Sequence, residues 1–235
     1  MGRGTSKAAG GSAKGGGGGT SPRDKEELKE ELIILVDNRS KWLEKNMDDD
    51  GLIDPSKVDE FEKMNKQIDN VEYDLFSQMS PTLKAEKFNK SNLTDLTSEE
   101  AAVARTDLMK DKAVYMAVKS AEHGTGFVEG GTTQNTAIDA LYEKNPKKVY
   151  STFNDTRKML KSKYGDEITL YRAGTSQTAK ATQNMTTTRK NAQQYADIYG
   201  TKVEKVKVPV KDVLCVNISR SGGYEEVLVL NKKKK

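Results

Sequence analysis

The chain has 235 residues, 34% hydrophobic, 31% charged and 6% aromatic, which allows one domain with appendages or two small ones and excludes a large multidomain assembly. Its formal charge of +4 comes from the ends. Four basic and no acidic side chains fall in residues 1–23 and four lysines close the chain, whereas residues 24–110 carry 13 basic against 22 acidic groups and 111–231 carry 18 against 13. An acidic unit followed by a basic one is expected, with a frayed lysine tail at 232–235 rather than a nucleic-acid stripe. The single cysteine, Cys215 in "VLCVN", excludes an internal disulfide or a Cys-only metal cluster and reads as a buried strand thiol.

The Gly-rich opening, residues 1–21, cannot bury enough surface to offset the ordering of its backbone and reads as a flexible arm. No secretory h-region and no membrane-length apolar run is present, so a cytoplasmic location is expected, with delivery into a host cell left open. Ser21 and Pro22 predict a helix start, and Leu28, Leu32, Leu35, Val36 and Leu43 predict a helix over about 23–46. "DDDGLIDPS" breaks it. Asp54 and Pro55 restart a second helix with a stripe of Val58, Phe61, Ile68, Val71, Leu75 and Met79. Together they make an acidic helical region, 22–94, expected to pack on the downstream domain, because two helices alone make a thin core.

Thr97 and Glu100 form a capping box that starts a third helix, or two short ones, up to Glu122. The lone histidine, His123, has no second histidine to share a metal. Further helices are expected at about 133–144 and 151–164, closed by Asn145–Pro146 and Gly165. From residue 167 the pattern changes. "EITLYRAG" reads as a strand, "TTTRKNAQQYADIYG" as a helix, "KVEKVKVPVKDVLCVN" as one or two strands around Pro209, and "YEEVLVLN" as a last strand after a glycine turn. This pattern predicts an α+β fold. Neither a GxGxxG nor a GxxxxGK[ST] nucleotide loop occurs.

Chemistry concentrates in this last third. Arg172 ends a strand just before Gly174, where a small residue lets another group approach closely, and its guanidinium can grip a diphosphate. Thr188 can cap the following helix while Thr186 aims its hydroxyl elsewhere. Strand alternation sends Glu225 and Glu226 to opposite sides.

"LYRAG", "MTTTRKNAQQYA" and "YEEVLVL" together resemble the mono-ADP-ribosyltransferases of the Arg–Ser–Glu class, which includes bacterial toxins and phage host-modifying enzymes. The resemblance covers about 165–231 by motif, extended by Ala192, Tyr195 and Ala196, and implies a catalytic domain over 95–231 with N-terminal helices before a compact mixed β core. It implies NAD as ADP-ribose donor, no metal, Arg172 as the clamp on the NAD phosphate and ribose, Thr186 as the hydroxyl supporting the catalytic glutamate, and Glu226 as that glutamate because it directly precedes the apolar strand. Gly174 and Tyr195 join the cofactor side, and Tyr224 and Glu225 the acceptor side. The family's Glu or Gln two residues before the catalytic glutamate is Tyr224 here, which leaves the acceptor open: a protein is expected, with nucleic acid weakly supported. NAD hydrolysis, and a nonenzymatic interaction protein on the same fold, stand as alternatives.

Overall fold

The computed structural model describes residues 23–49, 51–79, 94–123, 136–174, 181–218 and 225–231. The fold is α+β. Helix α1 (Lys25–Asn46) is capped by Asp24, whose side chain accepts from the Glu26 amide, so it begins later than Ser21 and Pro22 suggested. A 3-10 turn at Pro55–Lys57 leads into α2 (Val58–Ser77), where Phe61, Ile68, Val71 and Leu75 are buried as the stripe requires. The two helices pack side by side. Of the two readings of the stretch up to Glu122, one helix or two short ones, the structure has the second: α3 (Ser98–Leu108), opened by the Thr97–Glu100 capping box, and α4 (Lys112–His123). Then come α5 (Thr136–Lys144), α6 (Pro146–Thr152) and α7 (Asn154–Tyr164). Asn145–Pro146 therefore starts a helix as well as ending one, since proline at the first helical position forfeits no hydrogen bond. Gly165 closes α7 at φ 82°, a backbone that favours glycine.

Strands β1 (Glu167–Ala173) and β3 (Val203–Pro209) pair antiparallel. A second sheet runs in the order β2 (Thr182–Met185), β5 (Glu225–Leu230), β4 (Val213–Ile218). The ladders described are all antiparallel, and a single bridge, Tyr171 to Thr186, joins the two sheets among the described residues. Helix α8 (Arg189–Tyr199) crosses between β2 and β3 and packs on β1, with Gly200 left-handed at its end.

Two hydrophobic clusters sandwich the three-stranded sheet. On one side Leu214, Cys215 and Leu228 meet Leu28 and Leu32 of α1, Ile68 and Leu75 of α2 and Tyr115 of α4. On the other, Val213, Val216, Val227 and Val229 meet Leu160 of α7 and continue to Ile168 and Leu170 of β1 and Val208 of β3. The acidic helices thus share a core with the last strands. Among the described residues no helix is long and apolar enough to cross a membrane.

Candidate functional site

Side chains alternate along a strand, so residues two apart share a face. On β1, Arg172 follows Ile168 and Leu170, and on β5, Glu225 precedes Val227 and Val229; these four apolar residues all belong to the second cluster. Arg172 and Glu225 therefore rise from one face. Glu226 alternates with Leu228 of the first cluster and rises from the other. The ladder also sets their level: Tyr171, beside Arg172, bridges Thr186, while Met185 pairs with Val227, two residues beyond Glu225. By these registers Arg172 stands about level with Val227, two residues along from Glu225, with β2 between their two strands.

The Arg172 guanidinium is held by its cross-strand partner. Nε donates to Glu204 Oε2 at 2.7 Å, Nη2 lies 2.6 Å from the same oxygen, and Nη1 donates to Gln183 Oε1 at 3.2 Å. With about a quarter of the side chain exposed, the fork is pre-positioned on Glu204 and retains N–H groups for an anion. The small residue after it answers to a specific approach: Gly174 N donates to Lys202 O at 2.7 Å, and a Cβ on Gly174 would stand 2.9 Å from that carbonyl.

The three threonines divide their work. Thr188 caps α8, accepting from the Asn191 amide, as its position suggested. Thr186 Oγ1 accepts from Asn191 Nδ2 at 2.9 Å, which leaves its own proton for Glu225 Oε2 at 3.1 Å. Thr187 Oγ1 accepts from the Asp95 amide at 3.0 Å and gives its proton to the same Oε2 at 2.8 Å. Asn191 also donates to the Glu225 carbonyl at 2.9 Å, fixing the start of β5 on the start of α8. The hydroxyl expected at Glu226 is thus directed to Glu225, because the β5 register turns Glu225 toward the threonines.

Glu225 is 1% exposed, and its other oxygen, Oε1, is buried without a hydrogen-bond partner. Burial pushes its carboxyl up to about 7, against the opposing pull of the Thr187 and Thr186 hydroxyls, with Asp95 adding a smaller upward push. Two hydroxyls on Oε2 and none on Oε1 place the proton of the neutral form on Oε1. Glu226, half-buried on the other face, accepts from Asn184 Nδ2 at 3.0 Å and lies opposite Asn217. Tyr195 is half-buried on α8, and Tyr224 lies outside the described residues. Thr187, Asn191 and Asp95 are the contributors that sequence reading missed. Only Thr187 carried a local signal, its place between two threonines with assigned tasks.

Among the described residues, no three His, Cys, Asp or Glu side chains gather as metal ligands. No family model, curated protein or solved structure matches the chain.

Proposed function

We propose that this chain is a mono-ADP-ribosyltransferase that takes ADP-ribose from NAD, releases nicotinamide, and attaches the sugar to a protein acceptor. The observation that carries the reading is that Arg172 and a hydroxyl-held glutamate rise from one face, on the two strands that flank β2. In the proposed reaction the bond from ribose C1′ to the nicotinamide nitrogen breaks with its electron pair going to the ring. The sugar develops oxocarbenium character, and the acceptor's nucleophile closes on C1′ and gives up its proton. A carboxylate facing the ribose stabilises that positive charge, and a guanidinium on the diphosphate fixes the donor.

The strand geometry favours Glu225 for the carboxylate, although the spacing of the resemblance points to Glu226. An unpartnered, desolvated Oε1 is a strong acceptor for a ribose hydroxyl, and the cationic nicotinamide ring favours the ionised carboxylate by direct attraction. Thr186 and Thr187 hold it in place; Arg172, oriented by Glu204, supplies the anion clamp.

The test uses NAD labelled in the adenosine half, incubated with the full chain with and without bacterial lysate, following free nicotinamide and label bound to macromolecules. The expected result is transfer that Glu225→Gln removes and Glu226→Gln retains, with Arg172→Ala weakening NAD binding. Loss in Glu226→Gln alone returns the carboxylate role to Glu226. Nicotinamide release without transfer makes the chain an NAD glycohydrolase, and absence of both turnover and NAD binding overturns the enzymatic reading.

A further inference from the structure

Helix α1 carries an apolar run, Leu32–Val36, that wraps round its circumference, and part of it faces water. Leu28 and Leu32 are buried against the core, whereas Ile33 is 69% exposed, Ile34 58% and Val36 38%. Ile33 and Val36 border a groove of about 580 Å³ that reaches the buried Leu32 and Leu75 between α1 and α2. A large aliphatic side chain exposed at the mouth of a groove marks an association surface when it is not isolated.

The charges at the groove's ends say what fits. Lys29 and Asp37 both line it, each four residues from Ile33 on the same helical face. Both are held by exposed neighbours one turn away, Lys29 by Glu26 and Asp37 by Lys41, contacts of the kind that exchange at little cost. The face therefore reads cation, isoleucine, anion, with equal spacing. A two-fold axis through Ile33, perpendicular to the helix, maps this pattern onto its own complement: Lys29 of each copy meets Asp37 of the other, Ile33 meets Ile33, and Glu30 flanks Val36. A self-complementary patch is what an isologous dimer requires. The geometry points to a second copy of this chain as the occupant, docked antiparallel through α1.

The experiment is sedimentation of the full chain from about 1 to 300 µM, the range in which modest interfaces assemble. The 26.0 kDa monomer is expected to give way to a species of twice that mass. Ile33→Glu, at an exposed position, should hold the chain monomeric while its circular dichroism and melting stay unchanged. Lys29→Glu and Asp37→Lys should each weaken association about tenfold by opposing like charges, and the double variant should recover to within about threefold of wild type. A monomer throughout the range overturns the proposal, as does a dimer indifferent to Ile33→Glu. Failure of the double variant to recover overturns the antiparallel register, and capture of an unlike protein by this face without self-association assigns the groove to another partner.

Discussion

Replacing Glu225 with glutamine tests the site through stability, independently of any substrate. The wild-type carboxyl titrates near 4.5 when unfolded and near 7 when folded. Between those values the folded chain holds a proton that the unfolded chain has released, so stability falls as pH rises through the window. The contribution is fully present below about pH 4.5 and lost above about pH 7. A difference of about 2.5 pH units corresponds to about 3 kcal/mol. Glutamine keeps the shape of the neutral carboxyl and an oxygen for the Thr186 and Thr187 hydroxyls, but cannot ionise. Urea unfolding of both proteins across pH 4 to 8 should therefore show near-equal stability at the acid end. Glu225→Gln should gain on wild type as pH rises, by about 3 kcal/mol at pH 8. Taking the difference at each pH cancels every other titrating group. A difference that stays flat would refute the reasoning, because it would mean that Glu225 ionises as freely folded as unfolded. Glu226→Gln is the matched control.

Three further outcomes rest on the packing. Arg105 is buried over the Phe76 ring, 3.4 Å from Glu72 Oε1, so Arg105→Met should cost about 3 kcal/mol in urea unfolding by leaving a buried carboxylate short of a cation, and Glu72→Gln on top should recover part of it. Gly174→Ala forces a Cβ against the Lys202 carbonyl and the Glu204 side chain, which should cost about 1 to 3 kcal/mol and lower the melting temperature. Cys215 is fully buried, and burial with the nearby Glu226 charge raises its thiol above the usual range; a disulfide reagent at pH 8 should leave it unmodified until denaturant is added, and rapid native labelling would contradict this placement.

Signals confined to a few residues were the legible ones. The Thr97–Glu100 box, the Thr188 cap and the Gly165 stop fix helix ends by contacts within a turn, and the structure has each. Strand β2 was not legible: "TQNM" has little β propensity, and its state is imposed by pairing with β5, which supplies the ladder from outside. Alternation foretold that Glu225 and Glu226 would face opposite ways, but which of them would share a face with Arg172 depends on the register of β5 against β2 and β4. That register is set by Val227 and Val229 packing on one cluster and Leu228 on the other. Asp95 reaches Thr187 from 92 residues away, a distance at which local pattern carries no information.

The same long-range contacts give the acidic helices a place in the site's architecture. Glu72 of α2 accepts from the Tyr115 hydroxyl at 2.8 Å and neighbours Arg105, whose Nη1 donates to the Ile218 carbonyl at 3.3 Å. Ile218 is the ladder partner of Glu225. One end of β4 is thus tied to α2 through a buried ion pair, and the strand position opposite it holds the buried glutamate. On the other flank, Asp95 accepts from the Tyr164 hydroxyl at 2.8 Å and gives its amide to Thr187. A carboxyl raised toward neutrality destabilises its own surroundings at neutral pH, and it persists only where neighbouring contacts over-determine its position. Here those contacts come from α2, α3 and α4 on one side and from α7 and the Asp95 segment on the other, so the helices ahead of the strands are part of what holds Glu225 in place.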